Sequence, residues 1–440
     1  MSSDRSIAFV ASGQIPPSAP PANLTGPIGW VRENLFDGIL NSILTLASIA
    51  IIVMVVPPII DWAFLKGVWN AGSLGECREI VVATHGEGAS GACWAVIHER
   101  IYQFLFGFYP PELYWRPILA FMLLFVAIAP VLFSSAPRQM LWFSLAYPLI
   151  AFFLIWGGSI WGTLLFLAGP VVGYLVGFRA GRFAYGDNFI VGAAVTVLAT
   201  VLWWLFAVTP IADALTSTIG FVGFEPVESD RLGGFLLSIT IGVIGISGSL
   251  PIGIVLALGR QSSMFAIKTM CVVFIEFIRG VPLITLLFVA SVLLNYFLPP
   301  GTSFDLVLRV VIMVTLFASA YMAEVIRGGL AALPSGQYEA ADALGLNYWQ
   351  ATRLIIMPQA LKVAIPGIVS NFIGLFKDTT LVSVIGLLDP VGLLNPIRAD
   401  SAWNGILWEL YMFVALFFWV FCFSMSRYSM YLEKKLKTDR

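Results

Sequence analysis

Residues 335–358 read SGQYEAADALGLNYWQATRLIIMP and lie within a polar loop between two long apolar stretches. Ser335 can accept hydrogen bonds at the start of a short helix that runs to Leu344. Gly345 follows directly, and glycine readily adopts the left-handed conformation that ends a helix. This half of the stretch therefore predicts a short helix that is closed by a tight bend.

The second half of the same stretch predicts another helix. Asn347 and Gln350 have the spacing of a capping box, in which each side chain binds the backbone N–H of the other residue. Pro358 is expected to end or kink this helix, because proline has no N–H to donate. Apolar and aromatic side chains cluster near the bend: Tyr338, Leu344, Leu346, Tyr348 and Trp349. Such side chains on a polar loop indicate a docking partner, although they could instead pack on the chain's own helices.

The composition of the 440-residue chain indicates a membrane protein. Hydrophobic residues make up 59% and charged residues 11%, and the mean hydropathy is +0.90. A soluble chain carries about 25% charged residues, and a spanning helix needs roughly 20 mainly apolar residues. Ten segments meet or approach that length: 38–58, 117–133, 139–156, 162–178, 188–208, 233–258, 280–298, 306–326, 361–384 and 406–426. The predicted fold is an all-α polytopic membrane protein with about ten transmembrane helices.

Lysine and arginine fall mainly in alternate short loops, which predicts that both termini are cytoplasmic. No basic tract indicates a nucleic-acid partner. The predicted N-terminal half consists of a flexible cytoplasmic tail over 1–37 and a transmembrane extension over 38–210, which carries an extracytoplasmic insert at 61–116. An outside linker over 211–232 follows. The predicted C-terminal half is a five-helix unit over 233–427 with a cytoplasmic loop at 327–360, and it ends in a basic cytoplasmic tail over 428–440.

The loop resembles a known family motif. Glu339-Ala340-Ala341, then Gly345, then Ile355 to Pro358 reproduce the spacing of the EAA loop of ABC-importer permeases, with Met357 where that family usually has leucine. The flanks resemble the polar amino-acid, histidine/glutamine-type branch: Glu276–Pro282, Tyr321–Gly329, Gly336–Glu339 and Lys377–Ser383. The long N-terminal extension looks like the M-type permease of general L-amino-acid importers.

The resemblance implies a type I importer core and a division of labour. The EAA loop would form the coupling helix that seats on the ATP-binding subunit, and its carried-over positions are Glu339, Ala340, Ala341, Gly345, Leu346 and Tyr348. The implied partners are two copies of that ATPase, a second permease that is a shorter paralogue, and a periplasmic amino-acid-binding protein. ATP and Mg²⁺ would bind the ATPase, because this chain has no Gly-Lys dipeptide and hence no phosphate-binding loop. The implied location is a bacterial inner membrane, surrounded by lipid.

One polar group inside the fourth helix of the core is a candidate for the substrate pathway: Asn371, Lys377, Asp378, Thr379 and Thr380. An ionised side chain within a spanning helix should be paired or face water. An amino acid carries both a carboxylate and an ammonium, which these groups could match. The competing interpretation is an interhelical ion pair that only fixes a subunit interface.

The insert carries the remaining candidate chemistry. Cys77 and Cys93 could form a disulfide in an oxidising compartment, or they could be unrelated thiols. His98-Glu99 resembles the start of a zinc-protease motif, but the second histidine is missing because position 102 is Tyr. We therefore predict no metal site and no catalytic residue.

The predicted function is import of L-amino acids by a permease that is not itself an enzyme. An ion-coupled secondary carrier is an alternative, but it would need two related helical repeats with broken helices, which the sequence does not show. A non-transporting scaffold or sensor subunit is the other alternative.

Overall fold

The structure, a computed structural model, describes residues 26–133, 135–180, 189–293, 296 and 305–436. The chain divides into two compact units by its contacts. The first unit holds the residues up to Ala71 together with Gly75–Ala95, and the second holds Gly72–Leu74 and everything from Val96 onward. Residues 1–25 and 437–440 of the two predicted tails lie outside the described part of the chain.

The first unit begins with helices α1 (Pro27–Leu35) and α2 (Ile39–Ile60), and a π-helical turn continues α2 over Asp61–Leu65. Within the predicted tail the structure has a helix at Pro27–Leu35, where a proline at the first turn supports helix formation. The insert adds α4 (Ala95–Phe106), which lies in the second unit except for Ala95, and α3 (Leu74–His85), which lies in the first unit except for Leu74. In this unit the structure joins Cys77 to Cys93 by a disulfide, with the two Cα atoms 5.9 Å apart.

The extension continues in the second unit with α5 (Trp115–Leu132), α6 (Met140–Trp156), α7 (Ile160–Tyr174), α8 (Phe189–Leu202) and α9 (Val208–Ile219). Two-residue strands β1 (Gly158–Ser159) and β2 (Gly223–Phe224) pair antiparallel. Helices α7 and α8 approach closely, because a Cβ on Gly169 or Gly173 would overlap Trp204 or Thr200. Small residues at such a contact allow helices to pack by van der Waals contact in lipid, which lacks a hydrophobic driving force between helices.

The C-terminal part contains α10 (Gly234–Arg260), α11 (Phe265–Gly280), α12 (Leu283–Phe288), α13 (Leu306–Ala331), α14 (Gly336–Ala343), α15 (Tyr348–Ala351), α16 (Met357–Asp378), α17 (Leu394–Ala399) and α18 (Trp408–Leu436). Helix α13 packs along α10, α11 and α16, and α18 packs on α16. A buried cluster that includes Leu154, Ile155, Leu237, Val310 and Val314 joins the extension to these helices near Leu232.

Eight helical runs among the described residues are long and apolar enough to cross a membrane: Ile39–Leu65, Pro111–Leu132, Ile160–Arg179, Val191–Ile219, Gly234–Arg260, Leu306–Ala331, Tyr348–Ile385 and Trp408–Leu436. Helix α6 coincides with the predicted segment 139–156, but it is shorter than these eight runs. The predicted segment 280–298 contains the run Leu283–Leu293, which meets α11 at a bend of 102°, so the two helices together form either one broken span or a re-entrant loop. Val281 is extended before Pro282 at that bend, as expected for a residue that precedes proline.

Candidate functional site

The predicted bend between two helices is present at the end of α13. We call residues 335–351 the knob; it consists of α14, the turn at Gly345 and α15. Gly345 has φ of +71°, a left-handed conformation that glycine adopts without a steric penalty. The capping box is also present, since the Gln350 N–H donates to Asn347 Oδ1 at 2.9 Å and the Asn347 N–H donates to Gln350 Oε1 at 3.1 Å. Ser335 does not cap α14 with its side chain.

The bend exposes large apolar side chains. Leu344 is 73% exposed, Tyr348 57% and Trp349 71%. The interpretation that these three pack on the chain's own helices is therefore wrong. Ala341, by contrast, is buried beneath the bend, so this carried-over position supports the knob from inside and offers no surface to a partner. Glu339, Ala340 and Gly345 are exposed, and Leu346 is half-buried.

The knob continues directly into a spanning helix. Pro358 neither ends nor isolates α15, because a π-helical turn at Thr352–Ile356 leads into α16 as one helical run. In a π turn each backbone hydrogen bond spans five residues instead of the four of an α-helix. Here that turn ends two residues before Pro358, which cannot donate a backbone hydrogen bond. The Gln359 side chain also donates to Gln337 Oε1 at 2.9 Å, which ties α16 to α14.

An ion-pair network joins α10, α11 and α13 near the ends of α10 and α11. Glu324 accepts from Arg260 at 2.9 Å, from Arg327 at 3.0 Å, and pairs with Arg279 at 3.5 Å. Arg260 also pairs with Glu276 at 2.8 Å. These contacts support a structural role for Arg279 and Glu324, because they fasten three helices together. The sequence did not reveal Arg260 and Glu276 as members of this network, since only the packing of the three helices brings them to Glu324.

A cavity of about 470 Å³ lies between α13 and α16. Its lining includes two of the predicted pathway residues, Asn371 and Asp378, which are seven positions apart and share one face of α16. The Asn371 side chain also reaches across to α13, where it donates to Ala318 O at 3.4 Å. Sequence reasoning missed the other side of the cavity, where Phe317 and Tyr321 line it from α13.

The structure does not bring the other pathway candidates into this cavity. Lys377 is exposed and lies next to the end of α16. Since the helical run begins at Tyr348, Lys377 lies near the end of the span and not well inside it as counted from Leu361. Thr379 is buried and donates to the Phe376 carbonyl, and Thr380 donates to the Lys377 carbonyl. Both hydroxyls therefore cap the helix end.

The structure also bears on the candidate metal ligands and on the two remaining cysteines. Among the described residues, no cluster of three or more His, Cys, Asp or Glu side chains could hold a metal ion. Cys271 and Cys422 are free and partly buried in their helices.

Comparisons with known proteins place the geometry in a family. Residues 249–438 match the family model of the binding-protein-dependent transport system inner membrane component. The chain is 58% identical to the glutamate/glutamine/aspartate/asparagine transport system permease protein BztC of Rhodobacter capsulatus, over 98% of this chain and 99% of that protein. It is 40% identical to the inner membrane amino-acid ABC transporter permease protein YhdY of Escherichia coli, over 97% of both chains.

A shorter relative covers less of the chain. The probable glutamine ABC transporter permease protein GlnM of Bacillus subtilis is 33% identical over 46% of this chain and 92% of that protein. The knob, the helical core and the two matches that span nearly the whole chain agree with one another. The chain therefore belongs to the family of amino-acid ABC transporter permeases, and it is a multi-pass transport subunit with a type I permease core rather than an enzyme.

Proposed function

We propose that this permease passes acidic amino acids and their amides through the membrane after a periplasmic binding protein delivers them. The name of the Rhodobacter capsulatus relative, which matches nearly the whole chain, supports this substrate class. The location that fits is a bacterial inner membrane with both termini in the cytoplasm, as the distribution of lysine and arginine favours.

The exposed knob is the observation that carries the proposal. A surface formed by Leu344, Tyr348 and Trp349 resembles the centre of a protein interface, where aromatic side chains supply most of the binding energy. We assign this surface to the ATP-binding subunit, two copies of which would bind ATP and Mg²⁺. Glu339, Ala340, Gly345 and Leu346 flank it, while Ala341 supports it from below.

The cavity between α13 and α16 is the proposed pathway on this chain. Asp378 is the charged group among its described lining residues, and Asn371 and Ser370 add polar groups. A carboxylate there can pair with the ammonium group of an amino acid, which would otherwise lose its hydration. A second permease, a shorter paralogue, would close the open side. Lys377 is exposed on the same helix end and would face that subunit.

A reconstituted complex tests the proposal. The chain is purified with its ATPase and second permease, placed in proteoliposomes, and supplied with the binding protein loaded with glutamate or glutamine. We expect uptake that requires ATP. Trp349→Ala should weaken association with the ATPase, whereas Trp408→Ala, which alters a tryptophan of similar exposure at the opposite end of the core, should not. Uptake without ATP, or equal association of the ATPase with both variants, would contradict the proposal.

A further inference from the structure

The loop between the last two spans is unusually well packed. We call residues 386–407 the outer loop; it follows the helical run that ends at Ile385 and precedes α18. It lies at the end of α16 opposite the knob. Its side chains Leu393, Ile397 and Trp403 are each at most 2% exposed. Loops usually carry mobile, solvated residues, so something must hold this one in place.

Helix α4 of the insert supplies polar contacts to the outer loop. Arg100 forms an ion pair with Oδ2 of Asp400. The other carboxylate oxygen of Asp400 accepts the Ala402 N–H at 2.9 Å. The Leu74 N–H, at the start of α3, donates to the Ala402 carbonyl at 2.8 Å. Two separate polar contacts, from Leu74 and Arg100 of the second unit, therefore bind the same turn of the loop.

The far end of α4 touches the start of α10 with no room for side chains. A Cβ on Gly107 would lie 2.4 Å from Cα of Gly233, and a Cβ on Gly234 would lie 2.0 Å from the Phe104 carbonyl oxygen. Gly234 also has φ of +59° and donates its N–H to the Leu388 carbonyl at 2.7 Å. The end of α4, the start of α10 and the outer loop thus meet at one point.

We infer that α4 is a brace that holds the outer loop in one conformation throughout transport. The braced loop presents a fixed surface to the binding protein of the importer. A loop ordered in advance lowers the entropic cost of docking. The Bacillus subtilis relative matches 46% of this chain with 92% of its own length, so more than half of this chain has no counterpart in that permease. This inference rests on the proposed function, because it requires a docking binding protein.

Substitutions of the ion pair test the brace in the reconstituted complex. Arg100→Ala and Asp400→Ala should each raise the concentration of loaded binding protein that half-stimulates ATP hydrolysis by about two- to five-fold, the range of a partly exposed ion pair. Hydrolysis without binding protein should stay unchanged. Combining Arg100→Asp with Asp400→Arg should recover only the part of the loss that is due to the ion pair, because arginine cannot accept the Ala402 N–H. Lys66→Ala is the matched control, because it removes an ion pair of similar exposure with Asp61. An unchanged half-stimulating concentration in both single variants would overturn the brace.

A cross-link separates a fixed brace from a moving latch. Arg100→Cys and Asp400→Cys are combined in a chain in which Cys271 and Cys422 are alanine, and a short bifunctional thiol reagent then bridges the pair. The brace predicts that bridged complexes keep stimulated hydrolysis and uptake, whereas loss of both would show that the loop moves. If the Asp400→Ala variant fails to assemble, Asp400→Asn is used in its place, because asparagine retains an acceptor for the Ala402 N–H. Absence of ATP-driven uptake by the unaltered complex would contradict the proposed function itself, whereas normal uptake with insensitive variants would contradict only the brace.

Discussion

Replacing Gly345 by valine isolates the bend of the knob from the rest of the fold. Gly345 has φ of +71°, and no heavy atom lies within 4 Å of a Cβ built there. The cost of a side chain is therefore conformational and not a clash. A left-handed residue with a Cβ costs about 1–2 kcal/mol, and a β-branched side chain is the least tolerated. A change of about 1.4 kcal/mol corresponds to a factor of about ten in an equilibrium constant. The population of the knob that has the conformation proposed to bind the ATPase should therefore fall about tenfold.

The assay measures affinity between the permease complex and its ATPase, together with hydrolysis stimulated by binding protein. Gly345→Val should weaken affinity by about tenfold, with normal membrane insertion, because the bend is exposed. Gly345→Asn should be milder, since asparagine tolerates the left-handed region. Gly336→Val is the matched control, because Gly336 lies in the same knob without positive φ and with open space around its Cβ position. Wild-type affinity and stimulation in Gly345→Val would refute this account of the bend.

Three further predictions follow from other parts of the chain. In protein taken from its native compartment, mass spectrometry should find Cys77 joined to Cys93. Reduction should then raise the mass of the bridged fragment by two hydrogens; free thiols at both positions before reduction would contradict the bridge. Asp378→Asn should reduce uptake while assembly and basal hydrolysis persist, because Asp378 lines the cavity; failed assembly or unchanged uptake would remove Asp378 from the pathway. Burial raises the pKa of Asp389 from 3.8 to about 6, so the folded state binds the proton more tightly than the unfolded state. The thermal stability of the protein should therefore fall as pH rises from about 4 to about 6, because Asp389 loses its proton. Asp389→Asn should make the melting temperature in detergent depend less on pH over this range; an unaltered pH dependence would refute the prediction.

The sequence by itself determined the features that depend on short windows. Apolar segments of spanning length predicted a polytopic helical protein, because lipid requires every backbone polar group to be satisfied within a helix. The left-handed Gly345 and the capping box of Asn347 with Gln350 were also predictable, since both depend on local backbone geometry. The spacing of the EAA loop and the order of its flanking motifs along the chain indicated the family before any contact between helices was known.

Only the tertiary structure decided which residues meet. The sequence placed Asn371 and Lys377 in one candidate pathway, but the packing of α13 against α16 puts Asn371 on the cavity and leaves Lys377 exposed. Nor could it pair Arg100 with Asp400, which are 300 positions apart. Helix periodicity states which side chains share a face of one helix. The partner of that face depends on how several helices pack together, and this is a property of the whole fold.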